Sequence, residues 1–109
     1  MPSRTYRSNE TQMTHQEVHL LESVLDALDD LFDGKTTAVA VHKIIFATCE
    51  AMKGSEFAEV AQPILSELSK IVGSRDTSER KRDLAVGATY DLRAYIAPLV
   101  PPFGNQISN

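Results

Sequence analysis

The sequence carries one cysteine, Cys49, in 109 residues, so no internal disulfide can staple the chain, and a reducing, cytoplasmic setting is expected. Residues 1–13 are polar and offer none of the apolar stretch that a secretion signal needs. Long apolar runs are scarce as well. The richest stretch, residues 38–52, contains His42, Lys43 and Glu50 and falls short of the roughly 20 residues of a membrane span, so no transmembrane segment is expected. An excess of positive charge is missing too: the net charge is −4, which argues against a dedicated nucleic-acid binder, because neutralising phosphates calls for a basic face. There is no internal repeat, no period-two alternation, no glycine-rich phosphate loop, no nucleophile–base pair and no metal-knuckle spacing.

What remains is an ordinary globular composition, 42% apolar and 24% charged. The length suits one domain with one core, since a chain this short buries only about two-thirds of its unfolded surface. The sequence predicts an all-α, single-domain bundle of about four helices over residues 14–99, with flexible, disordered tails at residues 1–13 and 100–109.

Residues 14–17 (Thr-His-Gln-Glu) fit a capping box, in which the Thr14 hydroxyl and the Glu17 carboxylate each satisfy an orphan amide of a helix's first turn. Val18, Leu21, Val24, Leu25, Leu28, Leu31 and Phe32 follow at helical spacing as one broad apolar stripe, and Gly34 can take the left-handed closing position. The first helix is therefore predicted over residues 15–33. Thr36 or Thr37 can cap a second helix reaching Lys53, whose apolar residues occupy nearly every face and mark it as central. Gly54-Ser55 breaks it, and a third helix follows to Gly73, with a kink or restart expected near Gln62 because Pro63 removes a helical hydrogen bond. A fourth helix, capped by Asp76 or Thr77, carries Leu84, Ala88, Leu92, Tyr95, Ile96 and Leu99 on one side, and the prolines from Pro98 onward end it.

The charges are unevenly distributed. Residues 14–34 hold six carboxylates and no lysine or arginine, whereas residues 75–93 hold five bases against four acids. Glu22, Asp26, Asp29, Asp30 and Asp33 recur at three-and-four spacing and form an acidic ridge on the first helix. A solvated outer face is the plain account of such a row. Yet like charges at this spacing cost a few tenths of a kcal/mol per pair, and no lysine along the helix relieves them. That cost points to a surface kept negative for docking on a basic protein, and these five residues are the candidate partner-binding site.

Other constellations fail on spacing. Asp29-Asp30-Leu31-Phe32-Asp33 matches the aspartate-rich magnesium motif of isoprenoid synthases, but no second acidic cluster of that kind is present and the chain is too short to enclose a prenyl substrate. His15 and His19 lie one turn apart, as zinc ligands can, but Gln16 stands where a zinc-protease helix needs glutamate. Glu56 and Glu59 with Glu79 and Asp83 loosely echo the paired carboxylates of all-α nucleotide pyrophosphohydrolases. His42-Lys43 lacks the lysine and glycine spacing of a histidine phosphotransfer domain. Arg80-Lys81-Arg82 reads as the start of a recognition helix only if the bracketing Glu79 and Asp83 are ignored. Cys49 reads as core. No catalytic residue, cofactor or metal is therefore expected, and the chain is expected not to be an enzyme.

The layout from Leu20-Leu21 through Leu31-Phe32-Asp33-Gly34-Lys35-Thr36-Thr37, then an apolar helix and a late Leu92-Arg93, resembles small bacterial immunity proteins of the colicin D immunity type. That resemblance spans residues 14–99. It implies a four-helix bundle that neutralises a cognate nuclease toxin by presenting acidic side chains to a basic active site. The rival expectation is a regulatory or structural helical module that forms a homodimer through the apolar remainder of its second helix, and a metal-dependent all-α nucleotide hydrolase is a further alternative.

Overall fold

The Thr14 hydroxyl accepts a hydrogen bond from the Glu17 amide at 3.0 Å, and Glu17 Oε1 accepts one from the Thr14 amide at 3.0 Å. This reciprocal capping box opens α1 (His15–Phe32). The structure, a computed structural model, describes residues 13–100, all of it helices and their connections with no strand among the described residues. The tails expected from the sequence fall outside the described residues except for Met13, half-buried against the core, and Val100, which is buried.

The next three helices are each started by the hydroxyl their sequence offers. Thr37 caps α2 (Ala38–Ala51) by accepting from the Ala40 amide, Ser55 caps α3 (Glu56–Gly73) through Ala58, and Thr77 caps α4 (Ser78–Ala88) through Arg80. Caps of this kind are each worth about 1 kcal/mol. At the end of α1, Gly34 has φ +78°, its amide donates to the Leu31 carbonyl at 3.1 Å, and the Lys35 amide donates to the Asp30 carbonyl at 2.7 Å. Those two bonds make a Schellman motif, and only a residue at ease in the left-handed region closes it without strain.

There are five helices among the described residues, where about four were expected, because the predicted fourth is two. α4 stops at Ala88 and α5 (Tyr90–Ile96) begins after Thr89, followed by a short 3-10 turn (Ala97–Leu99) that takes in Pro98. Thr89 is buried, and its hydroxyl donates to the carbonyls of Ala85 (2.8 Å) and Val86 (3.3 Å). Such back-bonding satisfies the hydroxyl inside the core and bends the chain there.

Pro63 gives the opposite correction, for α3 runs as one helix through it with no restart at Gln62. Pro63 is exposed, and so is Glu59, whose carbonyl loses its donor; solvent can supply the missing bond.

The core is a single cluster to which every helix contributes. Leu21, Val24 and Leu31 of α1, Val41 and Ile45 of α2, Leu68 of α3, and Leu92 and Ile96 of α5 are fully buried, each contributing about 1.5–3 kcal/mol by leaving water. α2 packs on α1, α3 and α4, but it is not buried all round as its composition suggested. Val39 and Phe46 are 41% and 51% exposed, on the side of α2 opposite Val41, Ile45 and Thr48. Phe32, read as part of the α1 stripe, is 69% exposed: it is the last residue of the helix and lies just before the turn at Gly34.

Two consecutive bases of α4 close the ends of other helices. Lys81 Nζ donates to the Val72 carbonyl of α3 at 2.8 Å, and Arg82 Nη1 donates to the Phe32 and Leu31 carbonyls of α1 at 3.2 and 3.4 Å. α1 has no basic residue in its last turn, so Arg82 delivers from another element the cation that the negative end of the helix favours.

Candidate partner-binding site

The acidic ridge is built by the periodicity of α1 itself. Leu21, Val24, Ala27, Leu28 and Leu31 face the core, and Glu22, Asp26, Asp29, Asp30 and Asp33 fall on the opposite half of the helix. Asp26, Asp30 and Asp33 are exposed, and Glu22 and Asp29 are half-buried at the edge of the row.

The five do not form one equivalent set. Arg93 of α5 donates from Nε at 3.1 Å and from Nη2 to Asp29 Oδ1, so Asp29 is held by a cation that sequence spacing could not reveal, 64 positions away. Glu22 has His19 Nδ1 at 3.8 Å, an ion pair only when the imidazole is protonated. Among the described residues, no lysine or arginine nitrogen lies within 4.0 Å of Asp26, Asp30 or Asp33. The free part of the ridge is therefore Asp26, Asp30 and Asp33, with exposed Phe32 between the last two in sequence and Tyr90, 70% exposed, one turn before Arg93 on α5.

The competing constellations come apart in the fold. Lys81 reaches Val72 at the C-terminal end of α3, whereas Glu56 and Glu59 stand in its first turn. An 18-residue helix is about 25 Å long, so Glu79 and Asp83, which flank Lys81, cannot share a metal with Glu56 and Glu59. Among the described residues, no three His, Cys, Asp or Glu side chains converge as a metal site would require. His15 and His19 are exposed on the first turns of α1, and His42 is half-buried on α2. Of the basic run 80–82, two members are bonded to helix carbonyls, which leaves Arg80 alone facing outward. Cys49 is buried, and burial followed by the nearby Glu50 charge pushes its thiol pKa up, away from a reactive thiolate.

One feature had no signal in the sequence. An open cavity of about 660 Å³ lies between the start of α1, the α2–α3 turn and α5, with Glu17, Glu56, Tyr95 and Leu99 on its walls. Tyr95 donates its hydroxyl proton to Glu56 Oε1 at 3.1 Å, and burial, that hydrogen bond and the Glu56 charge push its pKa up to about 12. Glu17 is already engaged by the capping box. The polar groups of this cavity thus satisfy one another or the backbone.

No helix among the described residues is long and apolar enough to cross a membrane. Comparison with known protein families, with curated proteins and with solved structures finds nothing that matches this chain.

Proposed function

We propose that the chain is a non-enzymatic protein-binding module whose acidic α1 face docks on a basic protein surface, in the manner of an immunity protein that neutralises a bacterial nuclease toxin. The observation that carries this reading is the set Asp26, Asp30 and Asp33: exposed, on one face, and with no Lys or Arg nitrogen within 4.0 Å among the described residues. A nuclease site is basic because it holds phosphates, and an acidic face steered to it can stand in for them. The free protein bears the mutual repulsion of the three carboxylates, and a basic partner relieves it. Two exposed aromatics, Phe32 beside Asp33 in sequence and Tyr90 one turn before Arg93 on α5, are the kind of side chain that anchors interfaces. The experiment is to capture partners among the products of neighbouring genes and to measure binding with Asp26→Asn/Asp30→Asn. A basic partner whose binding weakens in the double variant supports the reading; a partner bound equally well by both proteins removes the ridge from it.

A further inference from the structure

The outer face of α2 carries a pattern that is complementary to itself. Val39, Lys43, Phe46, Ala47 and Glu50 are all exposed, on the side of the helix away from Val41, Ile45 and Thr48. Val39 and Phe46 are seven residues apart, as are Lys43 and Glu50, so each pair lies along the helix axis within about 20° of the same direction. Lys43 and Glu50 are too far apart to pair within one helix, about 10 Å along the axis, and neither forms an ion pair among the described residues.

We infer that this face takes a second copy of the chain, α2 against α2 and antiparallel, about a two-fold axis passing between Phe46 and Ala47. Such an axis pairs positions whose numbers are symmetric about it, so Lys43 of each protomer meets Glu50 of its partner, twice per dimer. Phe46 stands level with Ala47 of the partner subunit and one residue from the partner's Phe46, so the two rings adjoin beside the axis, and the small Ala47 lets the two helices approach. An isologous contact requires this reciprocity, in which residue i meets j and j meets i. A parallel pairing would set Lys43 against its own copy and Glu50 against its own copy. Charge therefore selects the antiparallel arrangement. The patch is one face of a 14-residue helix, which places the dimer among small, transient interfaces rather than obligate ones. This pairing uses none of the ridge residues on α1, so its test does not rest on the partner docking proposed above.

The test is sedimentation equilibrium of the full chain from micromolar to millimolar concentration, with circular dichroism confirming the fold of each variant. Wild type is expected to show a monomer–dimer equilibrium. Lys43→Glu and Glu50→Lys each place like charges across the axis twice and are expected to weaken self-association by about tenfold or more. An equimolar mixture of the two variants restores both opposite-charge pairs and is expected to form a heterodimer at least as readily as wild type forms its homodimer. Wild type that stays monomeric at every concentration overturns the inference, as does a dimer that both single variants leave intact or a mixture that fails to recover association.

Discussion

Arg93 Nε donates to Asp29 Oδ1 at 3.1 Å and so ties α5 to the acidic ridge of α1 across 64 positions of sequence. Both side chains are about half exposed, so solvent screening keeps the pair's worth near 0.2–1 kcal/mol. A double-mutant cycle of Asp29→Asn and Arg93→Met, read in urea melts, should give a coupling in that range. A coupling near zero would mean that Asp29 behaves as a fourth free carboxylate of the ridge.

Leu28 and Leu68 lie in the core with 4% and 0% exposure. Leu28→Ala and Leu68→Ala should each cost about 2–5 kcal/mol of unfolding free energy, the transfer of the lost methyls plus the cavity left behind. Urea melts check this, and a loss below about 1 kcal/mol at either position would contradict the packing described.

At Gly34 a side chain would have room, since the nearest atoms to an added Cβ belong to Arg82 at 3.9 Å, but the φ of +78° disfavours it. Gly34→Ala should therefore cost about 1–2 kcal/mol in thermal or urea unfolding, arising from the backbone alone. A neutral result would show that α1 ends in some way other than the Schellman turn.

Tyr95 is held neutral in the folded state by burial, by its hydrogen bond to Glu56 and by the Glu56 charge, with its pKa pushed up to about 12 from an ordinary value of 10.0. Because the folded pKa is the higher one, the stabilisation is fully present below the ordinary value and is lost as pH rises from 10 towards 12. Ultraviolet titration should show a late phenolate step that Tyr95→Phe removes. If the late step persists in that variant, the Tyr95–Glu56 contact is not its source.

The first four helix starts were legible in the sequence because they rest on local chemistry. The hydroxyls of Thr14, Thr37, Ser55 and Thr77 each act on the amide three residues ahead, and the stripes of α1 and α3 follow the 3.6-residue period. What misled was chemistry whose outcome depends on surroundings. Thr89 looks like any helix threonine until burial forces its hydroxyl back onto Ala85, and Pro63 looks like a break until its exposure leaves Glu59 to solvent. At the site, the ridge itself was readable from spacing, but its division was not, since Asp29 is engaged by a residue from the far end of the chain while Asp26 and Asp30 are left open. The same holds for Lys81 and Arg82, which in sequence are a basic run and in space are caps on α3 and α1.

The docking role of the ridge is tested most directly by association kinetics of a basic partner encoded beside this chain, comparing wild type with Asp26→Asn/Asp30→Asn over a range of salt. Charges that steer encounter act on the association rate, and their reach shrinks from about 10 Å at 0.1 M salt to about 3 Å at 1 M. Wild type should associate faster than the double variant at low salt, the two rates should converge as salt rises, and the variant's thermal stability should be equal or slightly higher because repulsion has been removed. Association rates that coincide at low salt would contradict the docking role and leave the ridge as a solvated face.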